Sequence, residues 1–412
     1  MALLIRDARA LTMAKGLIPR RGGALGELGV IDRADILIVG EHIEAVEKAG
    51  KLKAPQGATV VEANGRVVMP AFVDSHTHLC WAGDRLDEWD EKRAGASYLE
   101  ILRSGGGIMS TVRAVRAASE EDLARDLKRR LGALLRGGTT TVEIKSGYGL
   151  TTEDELKMLR AIRAGGVGWP GTVVRTALLG HAIDTGQKDF VRRTVEETLP
   201  AVTEAFGALA VDAYCEEGAW SVEDCEALFE AALGAGHPVR VHADQFNALG
   251  MVDWAVKKGP SAVSSVDHLE ATGAPALKRL AASGVFATAL PCAGFHTDGR
   301  YMDARTFVDA NGALAIATNC NPGSAPCQSM PMAIALAVRH RGLSPAQAIA
   351  AATVNGAALL RLDDRGVLAP GKRADVILLR HRDERQLAYE FGGDPVDMVV
   401  CMGEVIKVDA AS

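Results

Sequence analysis

Through the middle of the chain, short apolar runs alternate with longer stretches whose apolar residues return every three to four positions. Short runs bounded by Gly, Pro or polar clusters read as buried strands, and the 3.6-residue rhythm between them reads as amphipathic helices. Eight runs of the first kind stand out, at residues 66–73, 139–145, 172–178, 208–214, 238–242, 262–267, 285–290 and 313–318. Strand and helix in alternation form βαβ units and a parallel sheet. Eight such units predict the α/β class and a (β/α)8 TIM barrel. The helix signals agree: Ser119-Glu120-Glu121-Asp122 is a Ser-x-x-acid cap, and Gly137-Gly138 closes the Ala/Leu/Arg-rich helix that it opens.

The two ends have another texture. The stretch from Ala34 to Val46 reads as two strands joined at a turn containing Gly40, and 374–379 and 397–406 repeat the pattern near the C-terminus. The termini are therefore expected to meet in a small discontinuous β-rich, sandwich-like domain of residues 1–64 and 367–412, around a barrel of residues 65–366.

Length is consistent with this division, since 412 residues exceed the roughly 250 of such a barrel. A formal net charge of −6 provides no broad basic surface, which argues against nucleic acid or an anionic membrane as partner. No run is long and apolar enough to span a bilayer. Charge at Arg6 and Asp7 comes too early for a secretory signal, so a cytoplasmic protein is expected. The seven cysteines are scattered without a C-x-x-C pair and are expected to be buried free thiols.

The chemistry is concentrated at predicted strand ends. In Val73-Asp74-Ser75-His76-Thr77-His78, alternation of side chains places His76 and His78 on one face, able to share a metal ion. His181, His242 and His268 each follow or end a later strand. On a barrel, strand ends converge on one rim, where a metal site is built. His242 is the expected third ligand, and His268 a ligand-supporting or catalytic group. After the second run, Gly147 and Gly149 flank Tyr148 and allow close backbone approach to a ligand. After the eighth, Asn321-Pro322-Gly323-Ser324 demands a tight turn whose N–H groups can cradle an anion. Gly105-Gly106-Gly107 lacks the Lys-Ser/Thr of a phosphate-binding loop.

The His-X-His string resembles the amidohydrolase superfamily in general. More specific are Ala82-Gly83-Asp84-Arg85, Gly95-Ala96-Ser97-Tyr98, Gly105-Gly106-Gly107-Ile108, Glu143-Ile144-Lys145-Ser146-Gly147-Tyr148-Gly149-Leu150, Leu179-Gly180-His181-Ala182, His242-Ala243-Asp244-Gln245 and Asn321-Pro322-Gly323-Ser324. Together, from about Asp32 to the C-terminal strands, they resemble the imidazolonepropionase family. That resemblance implies hydrolysis of 4-imidazolone-5-propanoate to N-formimidoyl-L-glutamate by a homodimer with one divalent or trivalent metal ion, zinc or iron. It implies His76, His78, His242 and the residue at Asn319 as ligands. Arg85, Tyr148, His181, Gln245, Asn321, Gly323 and Ser324 would contact the substrate, with His268, His181 and Gln245 serving catalysis. Arg85 suits a propionate, because a guanidinium matches a carboxylate in a planar fork. The fourth strand end, Tyr214-Cys215-Glu216-Glu217, has no lysine to bridge a second metal.

One position departs from the superfamily, which places a proton-accepting aspartate where this chain has Asn319. An amide is a neutral ligand and cannot take a proton at ordinary pH. The sequence leaves three readings open. In the first the activity is kept, with His268 or His181 carrying the proton. In the second the chain is a binding relative with an impaired site, and in the third it hydrolyses another small cyclic amide or amidine.

Overall fold

The computed structural model describes residues 2–95 and 106–406. Ala96, Ser97 and Tyr98 of one sequence motif, and Gly105 of the glycine triplet, lie outside the described residues. Sixteen strands among the described residues fall into two sheets. The first contains β1 (Ala2–Leu11), β2 (Val30–Val39), β3 (His42–Lys48), β4 (Thr59–Glu62) and β5 (Val67–Pro70). The second runs β6 (Phe72–Asp74), β7 (Thr139–Lys145), β8 (Thr172–Gly180), β9 (Ala210–Cys215), β10 (Val239–Ala243), β11 (Val263–His268), β12 (Phe286–Ala289) and β13 (Leu314–Ile316). The chain then returns to the first sheet with β14 (Val376–Leu379), β15 (Val396–Cys401) and β16 (Glu404–Ile406).

β6 to β13 pair in chain order, all parallel, as the eight-stranded barrel that the alternating pattern predicts. The seam between its first and last strands is closed just beyond their ends. Asn319 N donates to His76 O (3.1 Å) and His78 N to Cys320 O (3.0 Å). Below them Asp74 accepts from Thr318 N (3.1 Å) and Thr318 Oγ1 (2.6 Å). Burial pushes the Asp74 carboxyl up to about 7.

The terminal strands form one mixed sheet in the order β16-β15-β14-β5-β1-β2-β3, with β4 also paired to β1. Here the predicted strand at 66–73 is corrected: its first part, β5, pairs with β1 and β14 in the terminal sheet, and only β6 belongs to the barrel. Both faces of the run are buried, so no alternation marks the change of sheet. β5 and β14 join the two units through their pleat. Val68, Val376 and Leu378 face the small core with Ile5 and Ile36, whereas Val67, Met69, Ile377 and Leu379 face the barrel core.

The helix Glu120–Arg136 starts at Ser119, whose hydroxyl accepts from Asp122 N, and ends at Gly137. All seven cysteines are free, and six of them are buried. Among the described residues no helix is long and apolar enough to cross a membrane.

Candidate active site

Residues beyond the C-terminal ends of the barrel strands converge on one rim. His76 and His78 lie just past β6, His242 within β10, His268 at the end of β11 and Asn319 past β13. Ligand atoms of His76, His78 and His242 all fall within 4.8 Å of one another, and all three imidazoles are buried. Left-handed backbone clusters here, at Asp244 (φ 56°), His268 (φ 82°), Leu269 (φ 71°) and Asn319 (φ 56°). Such conformations in non-glycine residues cost about 1–3 kcal/mol and gather at working sites.

The donors fit a cation. His242 Nε2 lies 3.2 Å from His78 Nε2, and His76 Nε2 and Asn319 Oδ1 are buried without a hydrogen-bond partner among the described residues. That separation suits a shared ion, since a tetrahedral ion with ligands at roughly 2.0–2.1 Å holds neighbouring nitrogens about 3.4 Å apart. The other ring nitrogens of two of these histidines are anchored. His76 Nδ1 lies 2.7 Å from Asp267 Oδ2, and His242 Nδ1 lies 3.0 Å from Asp212 Oδ1. A carboxylate that accepts a hydrogen bond from Nδ1–H fixes the tautomer and leaves Nε2 unprotonated, able to serve as a ligand. Burial, reinforced by neighbouring positive groups, holds all three histidines well below the ordinary imidazole pKa, in the neutral form that binds metal.

Around this centre stand the expected substrate residues. The His181 ring stacks on His78, with centroids 5.0 Å apart, and its Nδ1 lies 3.0 Å from Gly147 O, which leaves Nε2 as acceptor. Burial lowers His181 to about 4, against the pull of that hydrogen bond. Tyr148 is buried 5.0 Å from His181 and 6.1 Å from His78, centroid to centroid, and burial raises its pKa. His268 Nδ1 lies 3.1 Å from Glu270 Oε1, and its ring is 5.5 Å from that of His242. Gln245 Oε1 accepts from Tyr214 OH at 3.0 Å. Arg85 donates through Nε to Glu88 Oε2 (2.7 Å), and a Cβ on Gly323 would meet Arg85 Nη1 at 3.1 Å. The structure thus brings Arg85 against the loop after β13.

Asn321 shapes the loop after β13. Its Oδ1 accepts from Gly323 N (2.9 Å) and Ser324 N (2.7 Å), and its Nδ2 donates to Asn319 O (2.7 Å). The side chain is occupied in shaping the turn.

Sequence reasoning missed the residues that hold this shell. Asp212 was visible as a lone acid in the apolar β9, and Asp267 as the lone acid of the Ser-containing β11, a signal that buried strands rarely carry without a partner. Glu155 accepts from Gly147 N (2.9 Å), Gly149 N (2.7 Å) and Leu150 N (2.9 Å) and so fixes the Tyr148 loop. In the sequence it is one of three acids in a first helical turn, indistinguishable from ordinary helix-end charge. Against the upward pull of burial, hydrogen bonds from Arg85 and Gly107 N keep the Glu88 carboxyl below its ordinary value.

A profile of the Amidohydrolase family matches residues 67–406. The chain is 43% identical to imidazolonepropionase of Herpetosiphon aurantiacus over 402 residues, 94% of this chain and 93% of the relative. It is 42% identical to imidazolonepropionase of Rubrobacter xylanophilus, with 98% of each covered. Among solved structures it resembles 5-methylcytosine deaminase from Klebsiella pneumoniae liganded with phosphonocytosine, with TM-score 0.75, 18% identity and 99% of each chain covered. It also resembles atrazine chlorohydrolase TrzN from Arthrobacter aurescens TC1 complexed with zinc, with TM-score 0.70, 20% identity, and 98% of this chain and 94% of that one covered. At such identities these two speak for the fold alone.

Proposed function

The chain belongs to the imidazolonepropionase family of the amidohydrolases and is a metal-dependent hydrolase of carbon–nitrogen bonds; on that premise we propose how its site opens 4-imidazolone-5-propanoate to N-formimidoyl-L-glutamate. The supporting observation is the convergence of His76, His78 and His242 with the unpartnered Asn319 Oδ1 at one buried point. These four would hold one zinc or iron ion, which when bound acidifies water and polarises a carbonyl.

Arg85, held by Glu88 beside Gly323, meets the propionate as a charged fork. The turn N–H groups of Gly323 and Ser324 are spent on Asn321, so the loop shapes the pocket and Arg85 supplies the charge. Tyr148 and the Nε2 of His181 wall the ring beside His78. Gln245, oriented by Tyr214, presents an amide to the ring edge. Ring opening adds water across the C–N bond, so one proton leaves the water and one arrives on the departing nitrogen. Asn319 cannot carry it. His268 can, because Glu270 engages its Nδ1 and leaves Nε2 free for transfer.

The test is a metal analysis of the purified protein joined to loss of imidazolone absorbance at neutral pH, with a chelated control. Near-stoichiometric zinc or iron with turnover well above that control is expected; bound metal without turnover refutes the activity. The same reading makes the enzyme a cytoplasmic homodimer, which light scattering and cell fractionation check.

A further inference from the structure

The barrel interior beneath the histidines is charged where a barrel core is ordinarily filled by branched apolar side chains. Strand alternation points Glu143 and Lys145 of β7, Asp212 of β9, Arg240 of β10 and Asp267 of β11 into one layer, all of them essentially inaccessible to solvent. Lys145 Nζ lies 2.8 Å from Glu143 Oε1 and 2.9 Å from Asp212 Oδ2. Arg240 Nη2 donates to Asp267 Oδ2 at 2.8 Å, and its Nη1 lies 3.6 Å from Glu143 Oε1. The other oxygen of Glu143 accepts from Thr77 N (3.1 Å), the peptide between the paired histidines.

Two chains of contact therefore end on ligand imidazoles. Arg240 holds Asp267, which holds His76; Lys145 holds Asp212, which holds His242. The arms differ in redundancy. Arg240 is also fixed by Ser75 O (2.7 Å) and Ser265 Oγ (3.0 Å), so Asp267 faces a cation locked from three sides. The only cation within ion-pair distance of Asp212 among the described residues is Lys145.

We propose that Lys145 is a positioning residue for the metal centre, aligning the His242 imidazole through Asp212. This rests on the metal-site reading above. Lys145 is not among the residues that would hold the ion, and its charge would work against a cation by repulsion. Without the ammonium, Asp212 would swing on an unopposed rotor beside Glu143, and His242 would lose the fixed partner that aims its Nε2. Positioning and bare charge thus predict opposite signs. As a mere positive charge near the site, Lys145 would weaken cation binding, so its removal would tighten it. As the holder of Asp212, its removal weakens binding, by about 10–100-fold for the loss of such a supporting contact.

The experiment measures zinc affinity of the full-length apoprotein by competition with a chromophoric chelator, independently of turnover. Lys145→Met should weaken zinc by about tenfold or more, Asp212→Asn should do likewise, and the double variant should bind no worse than Asp212→Asn alone. Tighter or unchanged zinc binding by Lys145→Met overturns the proposal, as do losses that multiply in the double variant. Should Lys145→Met fail to fold, Asp212→Asn binding zinc as tightly as the wild type overturns it equally. Wild-type apoprotein that binds no zinc removes the metal reading itself; wild-type binding with indifferent variants removes only this inference.

Discussion

Glu88 and Arg85 form a pair in which the carboxylate aims the guanidinium: Glu88 Oε2 accepts from Arg85 Nε at 2.7 Å and from Gly107 N at 2.9 Å, with Arg85 Nη1 between Thr111 Oγ1 (3.4 Å) and Gly323. A guanidinium so held loses little freedom when it meets a second carboxylate, which is what a propionate clamp requires. Arg85→Ala should lower kcat/KM for the imidazolone propionate by about 10–100-fold, as expected for loss of a charge-assisted hydrogen bond. Glu88→Gln should raise KM by a smaller factor with kcat little changed. Steady-state kinetics check both, and normal turnover by Arg85→Ala would show that the clamp lies elsewhere.

Asn319 can become aspartate without backbone strain, because Asn and Asp both tolerate the left-handed conformation at φ 56°. On the proposed ligand set Asn319→Asp would add a negative ligand and should tighten zinc binding. On the proposed mechanism, with His268 carrying the proton, kcat should change by less than about tenfold. A gain of about 10² or more, the ordinary effect of supplying a missing general base, would show that His268 does not fill the role.

Gly147 sits at φ 109°, and a Cβ there would lie 2.9 Å from Leu178 O and 3.0 Å from His181 Nδ1. Gly147→Ala must displace the loop that carries Tyr148 and receives His181. A stability loss of about 1–3 kcal/mol in urea unfolding is expected. A fall of about tenfold or more in kcat/KM should accompany it, because small misplacements near the reacting atoms are costly.

The pH dependence of stability follows from His181, whose pKa falls from the ordinary imidazole value to about 4 on folding. Between pH 6.5 and 4 the unfolded chain binds a proton that the folded chain refuses, so stability rises with pH across that window and is fully present above it. Acidifying the apoprotein from pH 7 to 4 should cost about 3 kcal/mol through this residue, with His76, His78 and His242 adding losses of the same sign. Urea midpoints measured along that range check it, and a His181→Gln variant should show a shallower slope.

Much of the architecture is legible in the sequence. Period-2 and period-3.6 patterns depend on local geometry alone, so the eight barrel strands and the shared face of His76 and His78 follow from the chain itself. The turn residues after β13 were legible too, as a loop. Tertiary structure decided what depends on partners distant in sequence. The run at 66–73 carries no mark of changing sheets, because β5 and β6 are apolar and buried alike and differ only in which strands hydrogen-bond to them. Likewise Asp212 and Asp267 are single acids in their strands until folding sets each against one imidazole and one cation. Side-chain type and spacing are properties of a segment, whereas a buried charge's partner is a property of the closed barrel, where strands far apart in the chain are brought within hydrogen-bonding reach.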